Sequence, residues 1–146
     1  MAVDLDLFAG SNFRSTIASY CNANGWKINE INDRRAIIKF DMDSGTTQTL
    51  FIIKYESTLE FSVPSGVKFS DKDDIPGWLS TTLMLDTANY KVGFWCIEKI
   101  SEKYTYSIMH NADMSLLNAQ YFGSVVSKLV AECDKLEQSI QRALNS

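Results

Sequence analysis

The stretch DMSLLNAQYFGSVVSKLVAECDKLEQSIQRAL, residues 113–144, reads as one helix with an apolar stripe along its whole length. Ala119, Phe122, Val126, Leu129, Cys133, Leu136, Ile140 and Ala143 are separated alternately by three and four residues, and Val125, Val130 and Leu144 widen the band. Ser127, Lys128, Asp134, Lys135, Gln138, Gln141 and Arg142 fall on the opposite face. Asp113 is placed to cap the start, and Arg142 sits in the last turn, where the helix dipole favours a cation. Such a helix needs a surface to cover.

That surface is predicted as strands. A first helix is expected over 11–24, with Ser11 or Asn12 as cap, Phe13, Ile17, Tyr20 and Cys21 facing inward, and Gly25 ending it. From Trp26 the period changes to two. Strands are predicted over 26–31, over 35–42 with Ala36, Ile38, Phe40 and Met42 on one face, over 46–55, and over 58–63 with Leu59, Phe61 and Val63 inward. In the third of these, Phe51-Ile52-Ile53 is apolar on both faces, which suits a central strand with a helix on one side and something else on the other. Asn32-Asp33, Asp43-Ser44-Gly45 and Glu56-Ser57 are links too short for crossovers, so the pairing is antiparallel.

Asp74 is then expected to cap a second helix, with Pro76 in its first turn and Trp78, Leu79, Thr82, Leu83 and Leu85 available for burial. Strands over 91–98 and 103–110 follow, and Val92, Phe94 and Cys96 are expected toward the core. The order α-β-β-β-β-α-β-β-α over residues 1–146 describes a single α+β domain, with 1–10 as a loose N-terminal segment. Length accords with this, since 146 residues suffice for one core.

Composition excludes more than it identifies. A net charge of −4 and a pI near 4.9 oppose binding to nucleic acid or to an anionic membrane surface. The first ten residues lack the basic start and apolar run of a signal peptide, and no apolar run reaches about 18 residues. A cytoplasmic protein is expected. Cys21, Cys96 and Cys133 lie among apolar neighbours without Cys-x-x-Cys spacing, as free thiols do in a reducing compartment.

Catalytic patterns are missing. Cys96 and the single histidine, His110, are the only conceivable nucleophile and base, and Cys96 alternates with core residues rather than facing an electropositive opening. Asp71-Lys72-Asp73-Asp74 begins like a calcium loop, but Gly77 comes one residue too late for the glycine of such a loop, and Thr82 stands where its glutamate belongs. No metal, cofactor or catalytic residue is assigned. The aromatic residues of the second half, Trp78, Trp95, Tyr104 and Tyr106 among them, read either as core or as an apolar surface for a partner segment.

Ile75-Pro76-Gly77-Trp78-Leu79, then Leu83-Met84-Leu85-Asp86-Thr87-Ala88-Asn89, then Val92-Gly93-Phe94-Trp95 together resemble the YbjN family of bacterial proteins. The match runs over roughly residues 26–144, with Met84-Leu85 in place of a leucine pair. That family is similar in fold to the type III secretion chaperones, small acidic proteins, usually dimeric, with helices around a twisted antiparallel sheet. The resemblance implies a non-enzymatic homodimer that presents apolar surface to a protein partner, and it carries over no functional residue. A small-ligand sensor with a pocket between sheet and helix is the alternative.

A helix over 113–144 would be about 48 Å long, against strands of about 24 Å. Its inner part, Phe122 to Val130, is therefore expected to complete the core. The outer part, with Leu136, Ile140 and Ala143, is expected to pack on either the first helix or, by preference, a second subunit.

Overall fold

The computed structural model describes residues 5–145, with side chains described from residue 12. Its elements are α1 (Leu5–Ala23), β1 (Glu30–Ile31), β2 (Arg35–Asp41), β3 (Thr47–Tyr55), β4 (Thr58–Phe69), α2 (Gly77–Thr87), β5 (Phe94–Ile100), β6 (Lys103–Asp113) and α3 (Ala119–Leu144). The strands form one antiparallel sheet in the order β1-β2-β3-β4-β6-β5. The α+β order expected from the sequence is the order found.

All three helices cover the same face of the sheet. Ala36, Ile38, Leu50, Ile52, Leu59, Phe61, Val63 and Ile108 point to that face and are fully buried. Against them α3 sets Phe122, Val125, Val126, Leu129 and Cys133, the stripe counted in the sequence, and α1 adds Phe13, Ile17 and Cys21. Aromatic rings lock the layers together at Phe122, whose ring centroid lies 5.2 Å from Tyr20, 5.7 Å from Phe61 and 6.3 Å from Trp26.

Several boundaries differ from expectation: β4 runs on past Val63 to Phe69, β5 spans Phe94–Ile100 rather than 91–98, β6 reaches Asp113, and four further shifts have local reasons. The last helix begins at Ala119, not Asp113, because β6 continues to Asp113 in register with Thr58. Asp113 instead caps a 3-10 turn (Met114–Leu116), accepting from the Ser115 N–H at 2.9 Å, while Asn118 caps α3 by accepting from the Tyr121 N–H at 2.8 Å. Likewise Asp71 caps a 3-10 turn (Lys72–Asp74), and α2 starts after Pro76 rather than at Asp74. Of the strand expected over 26–31, only Glu30–Ile31 pairs; Trp26 turns inward onto Phe40, ring centroids 5.3 Å apart. Its apolar alternation reflects packing without a ladder. Finally, α1 begins at Leu5, so Ser11 and Asn12 lie within the helix rather than at its cap. Of the loose segment expected over 1–10, residues 1–4 lie outside the described residues.

At 26 residues α3 is about 39 Å long, and its outer half is tied to the sheet by polar contacts. Asp134 accepts from Ser44 Oγ at 2.7 Å and Thr46 Oγ1 at 2.6 Å in the β2–β3 turn. Glu137 accepts from Gln48 Nε2 at 3.1 Å and from the Gly66 N–H at 3.0 Å. Gly66 lies in the bulge where the β4–β6 register shifts between Pro64 and Lys68. Carboxylates on α3 thus satisfy groups that an irregular strand leaves unpaired.

Where α1 meets α3, Gly123 allows the close approach. The Asn24 side chain lies in the space a β-carbon would occupy, donating from Nδ2 to the carbonyls of Tyr20 at 2.8 Å and Ala119 at 3.2 Å. Alanine favours a helix over glycine by about 1 kcal/mol. Gly123→Ala is nevertheless expected to lower stability by about 1–3 kcal/mol, the usual cost of overpacking, read from the urea midpoint. A raised midpoint would refute this helix contact.

Candidate functional site: a cleft between the second and last helices

The second helix is apolar around its circumference but packs on one side only. Leu79 and Leu83, one turn apart, are buried toward the sheet. Trp78, Met84 and Leu85 are exposed, Trp78 by 66%. The sequence counted Trp78 and Leu85 as available for burial; one short helix on a sheet edge has only one face to bury, so they stay outside.

Between α2 and the outer turns of α3 lies an open cleft of about 240 Å³. Trp78, Leu79, Thr82 and Leu83 form one wall, Leu136, Ile140 and Ala143 the other, and Trp95 the floor. Asp86, Glu132 and Lys135 lie at its rim. Thus the expected partner surface and the expected dimer seam converge on one feature. Their members differ in exposure, however. Trp95 and Tyr106 alternate onto the helix-covered face and are core residues, 7% and 2% exposed. The Tyr106 hydroxyl is hydrogen-bonded to Ser80 Oγ at 2.6 Å, and Tyr104 lies away from the cleft with Lys99 Nζ 5.7 Å from its ring. Leu136 is also core, 8% exposed, while Ile140 is half-buried. A seam for a second subunit can use Ile140, Ala143 and the exposed Leu144, but not Leu136.

A polar network fixes the cleft floor. Trp95 donates its backbone N–H to Thr87 Oγ1 at 3.0 Å and its indole N–H to the Tyr90 hydroxyl at 3.2 Å. That hydroxyl donates to Glu132 Oε2 at 3.0 Å, and Lys128 Nζ completes the group, 2.9 Å from Glu132 Oε1 and 4.4 Å from the Tyr90 ring centroid. Burial foremost pushes the Tyr90 phenol up to about 12. Burial also acts to raise the Glu132 carboxyl, but hydrogen bonds from Lys128 and Tyr90, with the charges of Lys128 and Lys135, hold it below its ordinary value. Sequence reasoning missed this network because Lys128 and Glu132 at i, i+4 look like any surface pair. Every polar group of the network is thereby paired within the protein.

The cysteine and histidine considered as a catalytic pair lie on opposite faces of the sheet. Cys96 is opposite Ser107 in the register and points away from the helices, correcting the expectation that it faces the core. His110, with the parity of Ile108, sits on the helix side, 3.0 Å from the Tyr121 hydroxyl. Burial, followed by the charges of Glu98 and Glu60, pushes the Cys96 thiol up to about 11, the reverse of an activated nucleophile. All three cysteines are free. Among the described residues there is no cluster of three or more His, Cys, Asp or Glu placed to hold a metal, and no helix is long and apolar enough to cross a membrane.

No protein-family model matches the sequence, and no curated protein matches it. Two solved structures share its fold. A chain of the HopA1–SchA chaperone–effector complex superposes with a TM-score of 0.63 at 9% identity, covering 92% of this chain and 97% of its own. YbjN from E. coli, described as a putative transcription regulator, superposes with a TM-score of 0.54 at 10% identity, covering 88% and 92%. The fold implied by the residue pattern of 75–95 is the one found, and at such identities the likeness concerns fold alone.

His110 gives a pH test of the packing beside α3. The Gly93 N–H donates to Nδ1 at 3.1 Å, so the neutral ring carries its proton on Nε2, toward Tyr121. Burial lowers its pKa below the ordinary 6.5. Above that value the ring is neutral folded or unfolded, and its contribution is fully present. As pH falls from 6.5 toward the depressed folded value, the unfolded chain takes up a proton first and the contribution is lost. The melting temperature should therefore fall more between pH 7.5 and 5.5 in the wild type than in His110→Gln; parallel curves would contradict this burial.

Proposed function

We propose that this chain is a non-enzymatic, chaperone-like binding module, working in the cytoplasm as a homodimer, which holds an apolar segment of another protein in the cleft between α2 and α3. The observation that carries this reading is the exposed Trp78, which lines an open, apolar-walled cleft on a helix that also leaves Met84 and Leu85 outside the core. Likeness in fold to a chain of a chaperone–effector complex supports it. A cleft open along its length accepts side chains projecting from a helix or an extended segment, and Trp78 supplies the large aromatic anchor that such contacts favour.

The alternative, a small-ligand sensor, has less support. About 240 Å³ falls below the roughly 300–1,000 Å³ of most small-molecule sites, and the cleft is not enclosed. Ile140 and Ala143 wall the cleft, so the helix-helix seam of the dimer falls to Leu144, exposed at the end of α3.

A display library of peptides cut from bacterial proteomes provides the test. Selection should enrich apolar segments, and Trp78→Ser should weaken the enriched binders about tenfold or more without moving the melting temperature, since the side chain is largely outside. Enrichment no greater than for an unrelated acidic domain would sink the proposal. Light scattering at two concentrations tests the dimer separately; a strict monomer at both removes it.

A further inference from the structure

The face of the sheet that none of the described helices covers has an apolar line along β3. Leu50 and Ile52 point under the helices, so Phe51, Ile53 and Tyr55 point the other way. Phe51 and Ile53 are half-buried and take no part in the core, and Tyr55 is 55% exposed. Three large side chains in a line about 14 Å long are left without a cover.

The two sides of this line differ in a matched way. Cross-strand register sets Arg35 on β2 and Glu60 on β4 to either side of Ile53, in one row. In the next row Ile37 and Ser62 flank Phe51 from the same two strands. A cation and a bulky side chain thus stand on one side of β3, an anion and a small side chain on the other, each one strand away, about 4.8 Å. Arg35 meets Glu30 in an exposed contact at 3.1 Å, of a kind worth little in water. Glu60 is half-buried and forms no salt bridge among the described residues.

We propose that two copies of this chain pack these faces together about a two-fold axis lying along β3. Such an axis exchanges left and right, so what flanks β3 on one side in one copy meets what flanks it on the other side in the second. Phe51, Ile53 and Tyr55 then meet their own counterparts, Arg35 of each copy meets Glu60 of the other, and Ile37 sits over Ser62. Sheets packed face to face lie about 10 Å apart with their strands within about 30°, which keeps positions one strand from the axis opposite each other. An axis along β4 would set Glu60 against its own counterpart, and one along β2 would do the same to Arg35. The row is complementary to itself only about β3, and a second copy supplies the whole complement. This interface rests on the homodimer proposed above and enlarges it: Leu144 is a single side chain, whereas specific interfaces bury about 800 Å² per partner. The α2–α3 cleft lies on the other side of the sheet and stays open in such a dimer.

Sedimentation velocity on the full chain, from about 1 to about 100 μM, should show monomer passing to dimer in the wild type. Arg35→Glu and Glu60→Arg each set like charges against one another twice in the dimer, and each alone should weaken it about tenfold or more. Mixed in equal amounts at the same total concentration, the two variants should recover dimerisation, because each supplies the charge that the other lacks. A variant that failed to fold could not rescue its fellow, so the mixture reads the contact and not stability. Single variants that dimerise like the wild type, or a mixture no tighter than its components, overturn this interface. If those variants stay dimeric while Leu144→Ser is monomeric, the homodimer stands and this face is lost. A wild-type monomer at every concentration removes the homodimer as well, and leaves the cleft to the peptide selection.

Discussion

Phe122 is fully buried, and its ring touches one aromatic side chain from α1, one from β4 and one from the segment that joins α1 to the sheet. Each of these layers is short of contacts without it. β1 has two residues, Trp26 belongs to no strand, and among its described residues α1 buries Phe13, Ile17 and Cys21. Truncating a buried phenylalanine costs roughly 3–5 kcal/mol, a large share of the roughly 5–15 kcal/mol that separates a folded domain from its unfolded chain. Around this point α3 lies over β3, β4 and β6, α1 packs against it with Asn24 at Gly123, and among the described residues no helix covers the other face of the sheet.

Much of this was legible in the residues. The three-and-four spacing from Ala119 to Ala143 identifies α3, and the alternation of β2 and β4 gives their inward side chains. Apolar residues on both sides of β3 announced that its second face is not ordinary surface. What failed were local competitions. Asp113 has the chemistry of a helix cap and does cap, but its partner is a single turn, because about 10 Å more of strand register outweighs an early helix start. Trp26 and Ile28 alternate like a strand, yet their alternation serves packing. Cys96 and Phe94 were assigned inward because apolar alternation marks a face without saying which one the helices take.

In the cleft, side chains that the sequence presents as two surfaces share one lining. Trp78, Trp95, Leu136, Ile140 and Ala143 all line it, although they were read as two separate surfaces. Tyr104 and Tyr106 were included on aromaticity alone, and strand parity takes Tyr106 into the core. The informative signal was available in α2: a segment of eleven residues with apolar side chains on every side has more of them than one sheet edge can cover. Lys128, Tyr90 and Glu132 gave no such signal, since their association depends on chain segments that meet only in the fold.

The three thiols acquire a use from where the layers put them. Burial raises Cys21 to about 11 and raises Cys133 further, so both remain protonated and shielded while α1 and α3 stay on the sheet. Cys96 stands half-buried on the uncovered side. An alkylating reagent applied to the native protein would therefore read three different clocks. Modification of Cys133 times global opening, that of Cys21 times the lifting of α1, and that of Cys96 times access to the bare sheet, so the natural chain carries one kinetic reporter for each layer.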